Sequence, residues 1–281
     1  MTKQFLYHLS PLSQNFAECV RSAETLILYE ATLICQLRIA GPEIMQHVKK
    51  FSSWKKIKNI LEVGCGPGEG AKKLSEYALL QNKNYTGIDL EPYFIDQARY
   101  KNLGSNINFI QGDIFTYTQK GFNALLLIAV LQHLGDIHSV ALKFRDLIDK
   151  DGYVFLFDTL PGSTIDRFEF NPSIPQIAQM YDSISYQKTL GKRNNMCLVE
   201  FKEQASKLGF KVIHQERIEM TVLPELREDY IRSIFLASEL IKRMYQVDID
   251  QDDLLNRLLY WLSSNGTAIL RGWGKLILQA I

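Results

Sequence analysis

Residues 61–70 read Leu-Glu-Val-Gly-Cys-Gly-Pro-Gly-Glu-Gly, an apolar run that breaks into alternating glycines. A strand must deliver Glu62 and Val63, after which Gly64, Gly66 and Gly68 turn the chain into a helix. Glycine at such a turn permits positive φ and leaves bare backbone amides against which a ligand can lie. A tight strand-to-helix turn with no ligand uses the same residues, so the flanking sequence has to decide between the two.

That flanking sequence alternates. After the strand Asn59 to Val63 the pattern gives a helix from Ala71 to Leu80, a strand from Tyr85 to Asp89 and a helix from Pro92 to Leu103. Strands follow at Ile107 to Gln111 and Phe122 to Ala129, then a helix from Ser139 to Ile148 and a strand from Tyr153 to Phe157. This rhythm predicts an α/β fold with a mostly parallel, doubly wound sheet. Pro161, Pro172 and Pro175 interrupt it. A helix from Met196 to Leu208, stopped by Gly209, and a strand from Phe210 to Met220 resume it. Two amphipathic helices then run from Leu226 to Met244 and from Leu254 to Leu262, the second with Asp250 as its cap. Lys275 to Ile281 reads as an apolar strand inserted in the sheet. Ahead of the alternation, Ser10 and Pro11 start a helix that carries Leu12 through Ile27, Gly41-Pro42 marks a stop, and a shorter helix runs toward Phe51. The expected organisation is a helical cap over 1–54 and a core over 55–281, interrupted at 159–195 and 222–268.

Composition narrows the class. With 46% hydrophobic and 22% charged residues the chain can build a core, which excludes wholesale disorder and fibrous repeats. Lys plus Arg number 32 against 31 Asp plus Glu, so attraction of the whole molecule to nucleic acid does not organise it. The basic stretch Lys49, Lys50, Trp54, Lys55, Lys56 and Lys58 reads as a solvated linker, with tethering to RNA or an acidic partner as the alternative. Cys19, Cys35, Cys65 and Cys197 form no C-x-x-C pair, which fits a reducing compartment and no zinc knuckle. The longest apolar run, Ala124 to Leu131, is far short of the ~20 residues of a membrane-spanning helix. The expectation is a cytoplasmic protein.

Two carboxylates favour a ligand at the glycine turn. Asp89 ends its strand in Gly87-Ile88-Asp89-Leu90, 19 residues after Gly70, the approximate spacing at which a carboxylate meets an adenosine ribose. Asp113 ends the next strand. Strand ends on one edge of an open α/β sheet face one crevice, so Glu62, Asp89 and Asp113 should converge there. Singly, each is more often a helix cap or a solvated charge.

At Glu62-Val63-Gly64-Cys65-Gly66-Pro67-Gly68, Gly87-Ile88-Asp89, Gly112-Asp113 and Val130-Leu131-Gln132-His133-Leu134 the sequence resembles the class I S-adenosylmethionine-dependent methyltransferases. The resemblance is close over Lys58 to Asp158 and looser beyond. It implies a Rossmann-like seven-stranded sheet in the order 3-2-1-4-5-7-6, with S-adenosyl-L-methionine as cofactor, S-adenosyl-L-homocysteine as product and no metal. Carried over, Gly64, Cys65, Gly66 and Gly68 take the methionine part and Glu62 orients it. Asp89 binds the ribose hydroxyls, Asp113 meets the adenine amino group, Leu90 and Ile114 flank the ring, and Ala129 lines the cofactor. Two departures stand out: Asn123 replaces the family's common acid near the start of strand four, and Ala129 cannot do acid–base work.

A nicotinamide dehydrogenase is the rival with the same fold, but its G-x-G-x-x-G/A fingerprint needs a small residue where this chain has Glu69. His133, just past strand four, is the candidate general base; packing under the following helix is the alternative. His133, Asp136 and His138 do not form a recognisable metal site. The Asn/Asp-Pro-Pro-Tyr segment of base-amine enzymes and a cysteine nucleophile are both missing after strand four. The added helical stretches carry aromatics, Tyr7, Tyr29 and Phe168 among them, that would line a lidded site. The expected reaction is in-line methyl transfer to O, N or C of a small, partly apolar acceptor, with no membrane span and no nucleic-acid partner expected. The alternatives are a non-catalytic cofactor-binding scaffold or sensor, and an enzyme acting on RNA or protein.

Overall fold

The computed structural model of the chain describes residues 12–160, 196–246, 248–264 and 269–281. In chain order its elements are α1 (Gln14–Ser22), α2 (Thr25–Lys50), β1 (Asn59–Val63), α3 (Glu69–Glu76), β2 (Asn84–Asp89), α4 (Pro92–Tyr100), β3 (Ile107–Gln111) and β4 (Phe122–Ile128). There follow α5 (Ile137–Leu147), β5 (Ile148–Thr159), α6 (Cys197–Lys207), β6 (Phe210–Thr221), α7 (Arg227–Tyr245), α8 (Gln251–Ser263) and β7 (Ile269–Ala280). The sheet has seven strands in the order β3-β2-β1-β4-β5-β7-β6. β1 is parallel to both β2 and β4, β2 to β3, and β4 to β5. β7 runs antiparallel to β5, with Val154 opposite Leu278. The order and the inserted last strand are those expected, although β7 starts earlier, at Ile269, and β5 extends beyond Tyr153 to Phe157 at both ends.

The central strands explain the topology. β4, Phe-Asn-Ala-Leu-Leu-Leu-Ile, is buried at every position but Asn123, as a parallel strand covered on both faces must be. Leu61, Val63, Leu125, Leu127 and Leu156 pack with Phe144 of α5, Phe201 of α6 and Leu276 of β7 in one apolar cluster. Helix starts are capped: Asp136 accepts from the Ser139 N–H at 2.8 Å, and Glu91 caps α4 with Pro92 in its first turn.

The chain divides into two compact units. One is formed by Pro42–Pro161, Gly191–Ile218 and Gly272–Ile281 and holds the glycine turn; the described parts of Met1–Gly41 and Glu219–Arg271 belong to the other. That helical unit has its own core of Phe16, Val20, Leu28, Phe235, Leu255 and Trp261. As expected, Asp250 caps α8, accepting from the Asp252 and Asp253 amides.

Two expectations about the N-terminal helices need correction. The helix carrying Leu12 through Ile27 is in fact two, α1 capped by Ser13 and α2 from Thr25, with Ala23 extended between them. The Arg243 side chain donates to the carbonyls of Val20, Arg21 and Ala23 at 3.0, 2.9 and 2.6 Å, meeting acceptors that a continuing helix would have used. (Ser10 and Pro11 lie outside the described residues.) The stop at Gly41-Pro42 does not occur either: α2 runs through it for 26 residues. Proline removes one helical hydrogen bond, but Ile39, Ala40, Ile44, Met45 and Val48 are buried on both sides of it, and that burial outweighs one missing donor.

Candidate functional site

The site is built where β1 ends. Gly64 has φ +64°, and a Cβ there would lie 2.5 Å from Val130 Cγ1, so a side chain is excluded by both backbone and neighbour. The Gly64 and Cys65 amides both donate to the Ile88 carbonyl, at 2.8 and 3.1 Å, tying the turn to β2. The Gly66 amide donates to Asp89 Oδ2 at 2.8 Å, while Asp89 Oδ1 accepts from the Glu91 amide at 3.0 Å. Each Asp89 oxygen thus takes one amide and keeps a lone pair for a ligand hydroxyl. Burial raises the Asp89 pKa, and the amides of Glu91 and Gly66 oppose that rise. The Asp89 carbonyl accepts from the Gly112 amide at 2.9 Å, which joins the end of β3 to the same corner. Asp113 holds the Phe115 amide on Oδ1 at 2.9 Å, and its second oxygen makes no hydrogen bond among the described residues.

Around these groups the apolar lining is partly open. Leu90, next to Asp89, is 66% exposed, whereas Ile114 is buried. An exposed leucine beside a carboxylate that holds two amides suits a flat ring against the strand ends. Cys65 is buried; a Cβ on Gly87 would lie 2.9 Å from its sulfur, so the thiol is packed against β2. Ala129 follows β4 at φ +58° and its amide donates to the Phe157 carbonyl at 2.7 Å. The short turn Leu131–His133 comes next, with the Gln132 amide 3.4 Å from Asp158 Oδ2 and the His133 amide donating to the Val130 carbonyl at 2.8 Å. His133 itself is exposed, at the carboxyl end of β4.

Glu62 occupies a different place from the two aspartates. It is 3% exposed, and the Tyr85 hydroxyl donates to its Oε2. A side chain on Gly70 would overlap its carboxylate, so the first turn of α3 closes directly over it. Tyr85 escapes sequence reading because its relation to Glu62 depends on strand register: Ile60 faces Tyr85 and Glu62 faces Gly87, which puts the tyrosine two residues along on the neighbouring strand. Asp158, buried near the end of β5, is equally hidden from sequence reading; its signal is a carboxylate directly after the apolar run Tyr153–Phe157.

Several other sequence candidates have structural explanations. Asn123 lies at the opposite end of β4 from the glycine turn. Its Oδ1 accepts from the Lys58 and Asn59 amides, both at 3.1 Å, and its Nδ2 donates to Asp149 at 3.0 Å, so an amide serves there where an acid would repel. Glu69 is buried with Lys101 3.2 Å away, so its charge is neutralised within the fold. Trp54 of the basic stretch is buried and donates to the Leu79 carbonyl at 3.0 Å, which leaves it no face for stacking a base. Tyr29 packs, half-buried, against the core of the helical unit. Tyr7 and Phe168 lie outside the described residues, as does most of the lid stretch 159–195.

Comparison with known proteins decides between the readings of the glycine turn. Residues 61–156 match the family described as "Methyltransferase domain". The chain carries a methyltransferase domain over those residues. It is 31% identical over 115 residues to the fatty-acid O-methyltransferase of Mycolicibacterium smegmatis, covering 40% of this chain and 41% of that protein. It is 27% identical over 120 residues to the carboxy-S-adenosyl-L-methionine synthase of Wolinella succinogenes, covering 41% and 48%. The chain therefore spans less than half the length of either relative. The fold of phosphoethanolamine N-methyltransferase 2 from Haemonchus contortus, solved with S-adenosyl-L-methionine, superposes with a TM-score of 0.53 at 16% identity, over 85% of this chain and 52% of that one. The glycine turn, Asp89, Leu90 and Asp113 of the methyltransferase domain suit that cofactor: a turn of positive-φ glycines, a carboxylate that can accept from two hydroxyls, an apolar edge and a carboxylate oxygen that makes no hydrogen bond among the described residues. Among the described residues no helix is long and apolar enough to cross a membrane, and no cluster of three His, Cys, Asp or Glu is arranged to hold a metal.

Proposed function

We propose that the protein transfers the methyl group of S-adenosylmethionine to an oxygen of a small, partly apolar acceptor. The observation that carries this reading is the Asp89 carboxylate closing the glycine turn through the Gly66 amide at 2.8 Å, with a lone pair left on each oxygen. When bound, the cofactor supplies a methyl carbon activated by its sulfonium. The chain's own residues then position and shield it. Asp89 would take the ribose hydroxyls, Asp113 Oδ2 would accept from the adenine amino group, Leu90 and Ile114 would cover the ring, and the turn from Gly64 to Gly68, its amides bonded to Ile88, Asp89 and Cys65, would lie against the methionine part. Ala129 borders the methyl-bearing end. Displacement at a methyl carbon draws its rate from alignment and exclusion of water, so no acid–base group is required unless the acceptor must lose a proton. His133, exposed beside Ala129 and Val130, is the residue that would take such a proton.

The name of the Mycolicibacterium smegmatis relative supports an oxygen acceptor with apolar character. The second relative is named for chemistry on the cofactor itself, so the likeness to both speaks chiefly for the cofactor half of the site. The deciding experiment incubates purified protein with S-adenosylmethionine and a panel of carboxylic acids and phenols, and follows S-adenosylhomocysteine. Acceptor-dependent product that disappears in Asp89→Ala supports the enzyme. Tight cofactor binding without product from any acceptor or from a whole extract favours the scaffold or sensor reading.

A further inference from the structure

Behind the glycine turn lies a carboxyl group that has no cation beside it among the described residues. Glu62 is almost fully buried, receives the Tyr85 hydroxyl, and abuts the backbone of Gly70. The titratable and charged groups around it come from three elements. β2 contributes Tyr85 and Asp89, the turn contributes Cys65, and α3 contributes Glu69, whose charge is met by Lys101 and Lys72. β4 presents Leu126 at the paired position. Among the described residues no lysine, arginine or histidine pairs with Glu62.

We propose that Glu62 carries a proton in the cofactor-free protein and releases it to solvent when the cationic methionine end of S-adenosylmethionine seats on the glycine turn, with Tyr85 as the positioning residue that holds the resulting carboxylate. The inference rests on the cofactor reading above. One O–H bond of the carboxylic acid breaks and the proton passes to water; nothing is oxidised or reduced.

The physical ground is the cost of an isolated buried charge. Removing a carboxylate from water without a counter-ion is expensive, so such a group stays neutral until a counter-ion arrives. Burial pushes the Glu62 pKa up to about 8; the Tyr85 hydrogen bond pulls it down, and the neighbouring Asp89 charge adds to the rise. The cofactor's ammonium and sulfonium would be the missing counter-ion. The sign follows: a group held neutral below about pH 8 and ionised in the complex makes binding release a proton. Affinity then climbs with pH up to that value and levels off above it. A single titrating group sets the upper limit on the slope, which approaches tenfold in Kd per pH unit. Two neutral hydrogen-bonding groups, an acid and a phenol, also let the fold tolerate this buried site before the cofactor binds.

Titration calorimetry with S-adenosylmethionine at about pH 7, in phosphate and in Tris, counts the protons exchanged. The expected result is release of roughly one-half to one proton per cofactor bound in the wild type, and close to none in Glu62→Gln. Tyr85→Phe removes the bond that favours the ionised form, so its pH midpoint for proton release should move upward, an effect that a purely structural tyrosine would not produce. Tyr85→Phe also keeps the test open if Glu62→Gln does not fold. Cofactor binding with heats that do not depend on the buffer overturns the inference and leaves the cofactor reading standing. So does release from Glu62→Gln equal to that of the wild type. A wild-type protein that binds no S-adenosylmethionine defeats the cofactor reading itself, and the proton coupling with it.

Discussion

Asp89 and Gly66, 23 residues apart in sequence, are joined by a hydrogen bond of 2.8 Å that ties the end of β2 to the middle of the glycine turn. One carboxylate therefore shapes the loop and, in the proposed function, binds the ribose. Replacing Asp89 with Ala should weaken S-adenosylmethionine binding by on the order of 2–3 kcal/mol, since two ribose hydroxyls would lose a charged acceptor. Calorimetry on the purified variant checks this. Unchanged affinity would leave Asp89 with the loop-closing role alone.

Gly64 meets two constraints at once, positive φ and the Val130 methyl groups. Gly64→Ala should destabilise the fold by about 1–3 kcal/mol, read from urea unfolding. Adding Val130→Ala should return the packing part and leave roughly 1 kcal/mol of backbone cost. If the double variant is no better than Gly64→Ala, the overlap with Val130 is not what excludes a side chain.

Asn123 bonds to two amides and to Asp149, far along β4 from the turn. Asn123→Asp should lose the donor to Asp149 and set two carboxylates together, costing about 1–2 kcal/mol of stability. Cofactor affinity should stay as in the wild type. A marked loss of affinity would mean that this end of β4 communicates with the site.

His133→Ala should leave the dissociation constant for S-adenosylmethionine unchanged and lower kcat by about 10²-fold if the acceptor must be deprotonated. The comparison of calorimetry with turnover separates the two. An acceptor that reacts as its anion would show no such drop, and His133 would then have no part in the chemistry.

Burial pushes the Cys35 thiol up to about 12, with the nearby Asp229 charge adding to the rise. Cys65 and Cys197 are also buried, while Cys19 is half-buried. Because the thiolate is the reactive form, iodoacetamide applied to the native protein at about pH 8 should label Cys19 first and leave Cys35 unmodified. Peptide mapping by mass spectrometry gives the order; early labelling of Cys35 would show that the helical unit opens readily.

What could be read from the sequence was local. β3 appears at Ile107–Gln111 as its pattern indicated, the glycine turn leads from strand to helix, and Asp250 caps α8, because each is set by neighbours within a few residues. What escaped depends on distant partners. The break after α1 is stabilised by Arg243, 220 residues from the Ala23 carbonyl it binds. The helix through Pro42 is held by burial that local propensity does not register. The partnership of Tyr85 with Glu62 exists only through the register of β1 against β2. The bonds of Asn123 to Lys58, Asn59 and Asp149 likewise depend on neighbouring strands.

The antiparallel β7 lies between β5 and β6. β6 therefore has no neighbour in the sheet until residues 269–280 have left the ribosome, some fifty residues after its own synthesis. During that interval the first five strands can assemble around the glycine turn, while Phe210–Thr221 waits with its edge unpaired. Shortening the chain before Ile269 would remove an internal strand rather than a tail, and would uncover the edges of β5 and β6 that β7 pairs in the complete sheet.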